Sequence, residues 1–469
     1  YPWQRGFEEA FMARLYQYRD NLGLHNGHPE QTEGWVTRVL TDQAIRFIGD
    51  HRQDPFFAYI PYLTCHAPLD APEEYIRPYL EAGLSEKLAT LYGMVTHMDH
   101  HIGRLLSALE KLGLEENTVV LFMSDNGPAI LNGQLTPRDR EIRYVSGMRG
   151  HKGNIWENGI RSPLFVRWKG SFQPGLTEHL ADVTDLFPTI AELAGVAPVS
   201  LDSLHLDGQS LMPLLKESGA TPEEKYTFLY ANPGWPPTDR PWSPEGVKDE
   251  YRPWKHANGD ALAYKKQIIG MRGERYKLLR NPGPAGGTIR ADSAGRVLLD
   301  LSEDPRESRN LADSLPPLVI SMEERLKEWY GSVLEEPHAF GMPVFLAGRD
   351  PDKHYEILLY APLKTTGTVH SASNYIVFEN PGDSASYSVR VDEEGAYRLS
   401  IRYELEGDLP QYYRLILPGS SREVQLDPGK GAVETGPVKL SSGNANFTLV
   451  RKPGNPCRCR FFSATIQAV

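Results

Sequence analysis

The chain has 469 residues, 40% hydrophobic and 24% charged, close to the average soluble globular protein and long enough for a large core without disulfide staples. Its 50 Lys and Arg against 61 Asp and Glu give a net charge of −11, which argues against a general nucleic-acid binder, whose affinity rests on neutralised phosphates. No apolar run reaches the roughly 18 residues of a membrane-spanning helix, and Cys65, Cys457 and Cys459 fit neither a zinc pattern nor a disulfide framework. Residue 1 is Tyr with no charged-then-apolar leader before it, so the chain reads as processed or incomplete at its front.

Trp35 to Ile48 carries Val36, Leu40, Ala44 and Phe47 at helical spacing and is expected to be a helix. Phe56 to Leu63 (FFAYIPYL) is expected to be a buried strand leading into Cys65 and His66. Leu88 to Leu109 reads as a long amphipathic helix with Leu91, Met94, Met98, Ile102, Leu105 and Leu109 on one stripe. His97, His100 and His101 on that helix are expected to form a polar face rather than a metal site. Thr118 to Met123 (TVVLFM) is the clearest buried strand and runs into Ser124, Asp125, Asn126 and Gly127. Leu164 to Val166 is a further strand, and Val183 to Leu193 a helix stopped by Gly195. Such alternation is the α/β pattern, in which ligands bind beyond the carboxyl ends of strands, where Asp125, Asn126, Cys65 and His66 fall.

Asn232 to Trp254 is rich in Pro, Trp and Tyr without periodicity, and at more than about 20 residues it reads as a structured loop rimming a site. Strands are expected at Ile268 to Met271 and Tyr276 to Leu279, then a turn-rich stretch and a helix carrying Met322, Leu326 and Trp329. From about Tyr355 the texture changes: Tyr397, Leu399, Ile401 and Tyr403 alternate with Arg398, Ser400, Arg402 and Glu404, the pattern of a half-buried strand. Similar short strands continue to the end, a separate all-β sandwich of about 100 residues. The expected domains are 1–225, 226–335 and 355–469.

Asp125 and Asn126 offer two adjacent oxygens at a strand end, a donor set suited to calcium, or less well magnesium. Asp-Asn-Gly is equally a strong turn signal. Lys152, between His151 and Gly153 in RGHKGNIWENGIRSP, sits on a loop that can approach an anion closely. His66, in TCHAPLDAPEEY, is placed to donate a proton or a hydrogen bond. Taken singly, a solvated lysine and a backbone-bonded histidine are the plainer readings of these two.

Taken together, the segments FMSDNGPAI, RGHKGNIWENGIRSPLFVRW and DVTDLFPTIAELAGV with LDGQSLMPLL resemble the formylglycine-dependent sulfatases of the alkaline phosphatase superfamily. GFEEAF, TCHAPLDAPEEY, MVTHMDHHIGRLL, GMRGERYKLLR and LLDLSEDPRESRNL fit the same family in collinear order over about residues 1–335. The resemblance implies a mixed, doubly wound sulfatase-type sheet followed by a small α+β subdomain. It implies that Asp125 and Asn126 are calcium ligands, that Lys152 binds the sulfate group, and that His66 stands near the leaving oxygen. The family reaction explains these types: cations neutralise the sulfate oxygens, a general acid protonates the departing alkoxide, and a hydrated formylglycine attacks sulfur.

The family's nucleophile motif, Cys/Ser-x-Pro/Ala-x-Arg, is absent from the 469 residues. So are its amino-terminal aspartate pair and its Gly-Lys-Trp-His segment. In the family all three precede the GFEEAF-like position, so the expectation is a sulfatase shortened at its front, inactive alone, with a sheet edge or core face exposed. The full protein would meet a formylglycine-generating maturation enzyme. The phosphodiester and phosphonate hydrolases of the superfamily are a second reading, against which Asn126 stands where they usually carry His. A non-catalytic protein that holds sulfated glycan is a third.

Residues 355–469 resemble a carbohydrate-binding module of jelly-roll type, with Tyr412 and Tyr413 either stacking on sugar or dividing between core and rim. A sulfated polysaccharide or oligosaccharide is therefore the expected substrate, with Trp235, Arg240 and Trp242 contacting it and Arg252 and Lys255 available for further sulfates. A secreted or periplasmic setting is expected for such a substrate.

Overall fold

A computed structural model describes the chain apart from residues 130–134, 145, 198–199, 202–203, 205, 217–223, 232–263, 284–294, 336–343, 349, 351–354, 361, 372–374 and 455–456. It opens on a small antiparallel meander, β1 (Phe11–Met12), β2 (Leu22–His25) and β3 (His28–Gln31). Within it His25 pairs with Glu9 of the GFEEAF segment at 3.2 Å and with Glu30 at 2.9 Å.

Helix α1 (Val36–Asp50) forms where the 3.6-residue spacing predicts it. Helix α2 (Glu73–Glu81) packs on the long α3 (Glu86–Lys111), whose N-cap Ser85 accepts from the amide of Leu88. The buried face of α3 is not the expected stripe. Leu88, Ala89, Gly93, Met94, His97, His101 and Leu109 are buried, while Leu91, Met98, Ile102 and Leu105 are half-buried. His97 and His101 are thus interior rather than part of a polar face, because their rings bond each other and need no water.

Strand β4 (Val120–Met123) pairs antiparallel with β5 (Leu164–Arg167), and every residue of β4 is half-exposed. Among the described residues β4 has no other partner, so these residues do not form the doubly wound sheet expected from the sequence. The Phe56 to Leu63 run is likewise no strand, and Phe57 and Tyr59 are 54% and 69% exposed. An apolar run becomes a strand only where a neighbour takes its backbone hydrogen bonds, and no described segment pairs with this one. Short helices α4 (Pro137–Ile142) and α5 (Glu157–Ile160) lie between β4 and β5 in sequence. Helix α6 (Leu186–Leu193) ends at Gly195, which takes a left-handed φ of +78°. Before α6, the buried Asp185 accepts from the amides of Asp182 and Gln209 and pairs with Lys225, so the DVTD and LDGQS segments serve structure here.

After the short helix α7 (Met212–Lys216) come β6 (Thr227–Ala231), β7 (Ile268–Arg272), β8 (Tyr276–Arg280) and β9 (Arg296–Asp300), an antiparallel sheet in sequence order. Helix α8 (Pro316–Glu335) lays Val319, Met322, Leu326 and Tyr330 against Ile269, Met271, Leu278 and Leu298 of that sheet.

Among the described residues, the elements that follow are all strands. β10 (Phe345–Ala347), β11 (Glu356–Leu358), β12 (Lys364–Thr366), β13 (Val369–Ser371) and β14 (Ile376–Phe378) are short. Longer are β15 (Ser384–Val391), β16 (Gly395–Leu405), β17 (Gln411–Leu417), β18 (Ser420–Leu426) and β19 (Gly429–Glu434). β20 (Val438–Leu440), β21 (Gly443–Arg451) and β22 (Cys459–Ala468) complete them. One sheet has the order β10-β15-β21-β17-β18 and the other β13-β14-β22-β16-β19. β16 buries alternate residues as its sequence predicts, and the inward residues of both sheets form one core around Tyr387, Tyr397, Tyr413, Phe378 and Phe461. Tyr413 belongs to that core, while Tyr412 points outward and is 39% exposed.

By packing, residues Tyr1–Val36 group with Glu336–Val469, and Thr37–Thr238 group with Asp260–Glu335. Within the first group the Tyr1 hydroxyl donates to Glu356 at 2.8 Å. No helix among the described residues is long and apolar enough to cross a membrane.

Candidate active site

The end of β4 delivers Asp125 to solvent and half-buries Asn126. The Ser124 hydroxyl donates to the Asn126 carbonyl at 3.2 Å and shapes the turn. Gly127 then passes so close to the next loop that a Cβ there would lie 1.8 Å from the Asn158 carbonyl oxygen. Only glycine permits this approach. Two backbone bonds fasten the loops together: Gly127 N–H donates to Gly159 O at 3.0 Å, and Lys152 N–H donates to Pro128 O at 2.9 Å. The loop of Lys152 is thereby docked on the Asp125-Asn126 turn.

His66 lies on an exposed turn, and its Nδ1 is 2.7 Å from the Ala67 carbonyl. A carbonyl can only accept, so Nδ1 carries a proton and donates it there. Neighbouring Cys65 reaches solvent, yet the protein packed around its thiol raises its pKa, and the charge of Asp125 adds in the same direction. Trp235, Arg240 and Trp242, with Arg252 and Lys255, lie outside the described residues.

Asp125 and Asn126 supply two oxygens, whereas calcium takes about 6–8. No group of three or more His, Cys, Asp or Glu able to hold a metal occurs among the described residues. The residues present do not make a calcium site by themselves.

A buried charge cluster stands behind the lysine loop, and residue-type reading missed it. Lys277 of β8 is fully buried and donates to Glu157 at 2.9 Å and to Glu307 at 2.8 Å. Arg272 of β7 reaches the same Glu157 oxygen at 3.4 Å. Burial works to raise the pKa of Glu157, but Lys277 and Arg272 outweigh it and hold it below the usual range. At Glu307 burial prevails over Lys277, and the pKa is raised. The one sequence signal was a lysine inside the apolar strand run YKLLR.

Residues 1–196 match the family model described as Sulfatase. The front part of the chain is thus similar to the sulfatases. Among curated relatives, this chain is 32% identical to mouse steryl-sulfatase over 292 residues, 61% of this chain and 42% of that protein. It is 30% identical to human arylsulfatase A over 315 residues, 64% of this chain and 53% of that protein. The chain spans about half the length of the curated relatives it matches. Among solved structures, Ps i-CgsB superposes with a TM-score of 0.54 at 22% identity, covering 70% of this chain and 68% of that one. Ps i-CgsB in complex with k-i-k-neocarrahexaose gives a TM-score of 0.53 at 21% identity over the same shares of each chain. At such identities the likeness speaks for the fold alone.

Proposed function

We propose that this chain is part of a sulfuric ester hydrolase that removes sulfate from a sulfated carbohydrate. The observation that carries the proposal is the pair of backbone ties docking the Lys152 loop on the Asp125-Asn126 turn. A loop carrying a lysine, fastened to a turn with two oxygen donors, can serve one anionic group and one cation together. In this reading Lys152 draws charge from the sulfate oxygens as it builds up on them, the preorganised electrostatics that acyl and phosphoryl transfer also use. His66 holds its Nδ1 proton on the Ala67 carbonyl, so protonating a departing alkoxide requires a second proton at Nε2. Asp125 and Asn126 are read as one side of a calcium shell. The expected formylglycine nucleophile is encoded by no Cys/Ser-x-Pro/Ala-x-Arg among the 469 residues.

The carbohydrate part of the reading leans on the carboxy-terminal β unit, read here as a jelly roll. Supporting that, β14-β22-β16-β19 and β15-β21-β17-β18 interleave so that the first and last strands of the run are neighbours. Tyr412 is an outward aromatic on it. A sugar ligand is in keeping with the neocarrahexaose held by Ps i-CgsB, and a secreted or periplasmic setting with such a substrate. The domain reading of 1–225, 226–335 and 355–469 stands as part of the same proposal.

The test is sulfate release from sulfated oligosaccharides, a steryl sulfate and an aryl sulfate, beside release of phosphate from an aryl phosphate. It is run on this chain and on the chain joined to any in-frame upstream coding sequence. Faster phosphate release selects the phosphodiester reading. Saturable glycan binding without turnover in either form selects the non-catalytic one, which the missing nucleophile motif favours for these residues alone.

A further inference from the structure

We propose that Lys277, Glu157 and Glu307 form a positioning cluster for Lys152, so that anion affinity at Lys152 depends on buried charges that never touch the anion. The proposal rests on the reading of Lys152 given above.

The argument starts from Glu307, which holds both ends of the lysine loop. Its carbonyl accepts from Arg149 Nη1 at 3.1 Å, where the loop begins. Its carboxylate accepts from the backbone amide of Glu157 at 2.8 Å, where the loop ends. Lys152 lies between these two points. The Arg149 guanidinium also lies 4.4 Å from the centre of the buried Trp156 ring, and the Arg149 carbonyl accepts from the Asn158 amide at 2.9 Å, which closes the base of the loop. Lys277 then joins the two carboxylates, one from the loop and one from the β9–α8 connection.

Glu307 adopts a φ of +55°, a left-handed conformation costing a β-carbon-bearing residue about 1 kcal/mol or more. Asp304 secures that turn by accepting from the amides of Ser308 at 2.7 Å and Arg309 at 2.8 Å. Strain at a buried, charged, non-glycine residue persists only where the surroundings over-determine it, and what this strain achieves is to aim Glu307 at the loop. A cluster serving stability alone would do as well with apolar side chains of equal volume. Buried charges with directional bonds do what apolar packing does not: they fix the register of a backbone loop. Through the Gly127–Gly159 and Lys152–Pro128 ties, that register is the position of Lys152 over the Asp125-Asn126 turn.

The test measures inorganic sulfate affinity of the full chain by calorimetric titration, beside thermal unfolding, for four proteins. These are the unaltered chain, Lys152→Ala, Glu307→Gln, and Glu323→Gln as a control. Glu323 is buried on α8 and pairs with Arg280 and Arg296, in the same sheet and helix but with no bond to the loop. The expected result is a sulfate affinity roughly five- to tenfold weaker in Glu307→Gln, a misplacement effect. Glu323→Gln should lose comparable thermal stability and keep the affinity of the unaltered chain. Equal affinities in Glu307→Gln and Glu323→Gln, with Lys152→Ala weakened, overturn the positioning role and leave the Lys152 reading intact. An unaltered chain with no saturable sulfate binding, or Lys152→Ala binding as well as it, overturns both. Because Glu307→Gln is liable to unfold, Glu307→Asp provides a second variant: it keeps the charge but shortens the reach, and an unchanged affinity there also counts against the proposal.

Discussion

Acidification should unlatch the α2–α3 pair through two histidines, and the structure sets the size of the effect. His97 and His101 of α3 are buried with their Nε2 atoms 3.0 Å apart. His101 Nδ1 lies 3.0 Å from Arg104 Nη1, whose other nitrogen holds Asp42 of α1 at 2.7 Å. A guanidinium can only donate, so His101 Nδ1 is a lone pair, His101 Nε2 carries the proton, and His97 accepts it at Nε2. A proton added to either ring therefore sets two donors face to face. Burial first, then His100 on the same helix, lowers His97 to about 4, with Glu74 of α2 opposing. Burial, His97, Arg104 and His100 lower His101 to about 4, with Asp42 opposing. Tyr75 of α2 packs its ring on His97 at 4.9 Å. An unfolded histidine binds its proton below about 6.5 and these only below about 4, so the unfolded chain binds more protons in between. Stability is then full above pH 6.5, falls as pH drops to 4, and levels off below. A shift of that size is worth about 3 kcal/mol for the first histidine, and less for the second because the two sites interact. Urea unfolding at steps from pH 7.5 to 4, on the unaltered chain and on His97→Gln/His101→Gln, isolates this term, since the carboxylate background cancels. Parallel pH profiles within about 0.5 kcal/mol would refute the reasoning, as would a nitrogen NMR spectrum placing the neutral His101 proton on Nδ1.

Lys277→Met leaves Glu157 and Glu307 buried without their shared cation and should cost about 3–5 kcal/mol in urea unfolding, part of it recovered in Lys277→Met/Glu307→Gln. A loss below about 1 kcal/mol would mean that the cluster is hydrated in solution. Gly127→Ala drives a methyl into the Asn158 carbonyl, so more than about 2 kcal/mol should be lost and the Lys152 loop should become the first site of protease cleavage. Tyr387→Phe orphans the buried carbonyl of Leu359, to which the hydroxyl donates at 2.6 Å. It should lower the unfolding transition of the β unit in calorimetry by the equivalent of about 1–3 kcal/mol.

How much of this was legible in the sequence depended on how locally each feature is determined. Helices α1, α3 and α8 and strands β7, β8 and β16 were readable because amphipathic spacing within one segment sets them. The long motifs likewise carried the resemblance to the sulfatases, and the match over residues 1–196 is to that family. The failures come where an element needs a partner. Phe56 to Leu63 has every local mark of a strand, yet without a neighbouring ladder it leaves Phe57 and Tyr59 in solvent. For the same reason β4, expected as the clearest buried strand, is half-exposed. The histidines of α3 misled in the opposite sense: polarity suggested an outer face, but two imidazoles and an arginine satisfy one another and can be buried.

The charge cluster was the hardest to see because its members lie 120, 30 and 150 positions apart in sequence. A lysine within an apolar strand reads as an error until its two carboxylates are in place. This separates two kinds of knowledge about the site. The short segments around Asp125 and Lys152 name the side chains proposed to meet a cation and an anion, since that depends on residue type. On the proposal above, what holds Lys152 to its register depends on Glu307 in a left-handed turn and on Lys277 in a strand of another sheet. Substitutions far along the chain from the motif should therefore alter the site as strongly as some substitutions within it, and Glu307 is where that consequence is most exposed to test.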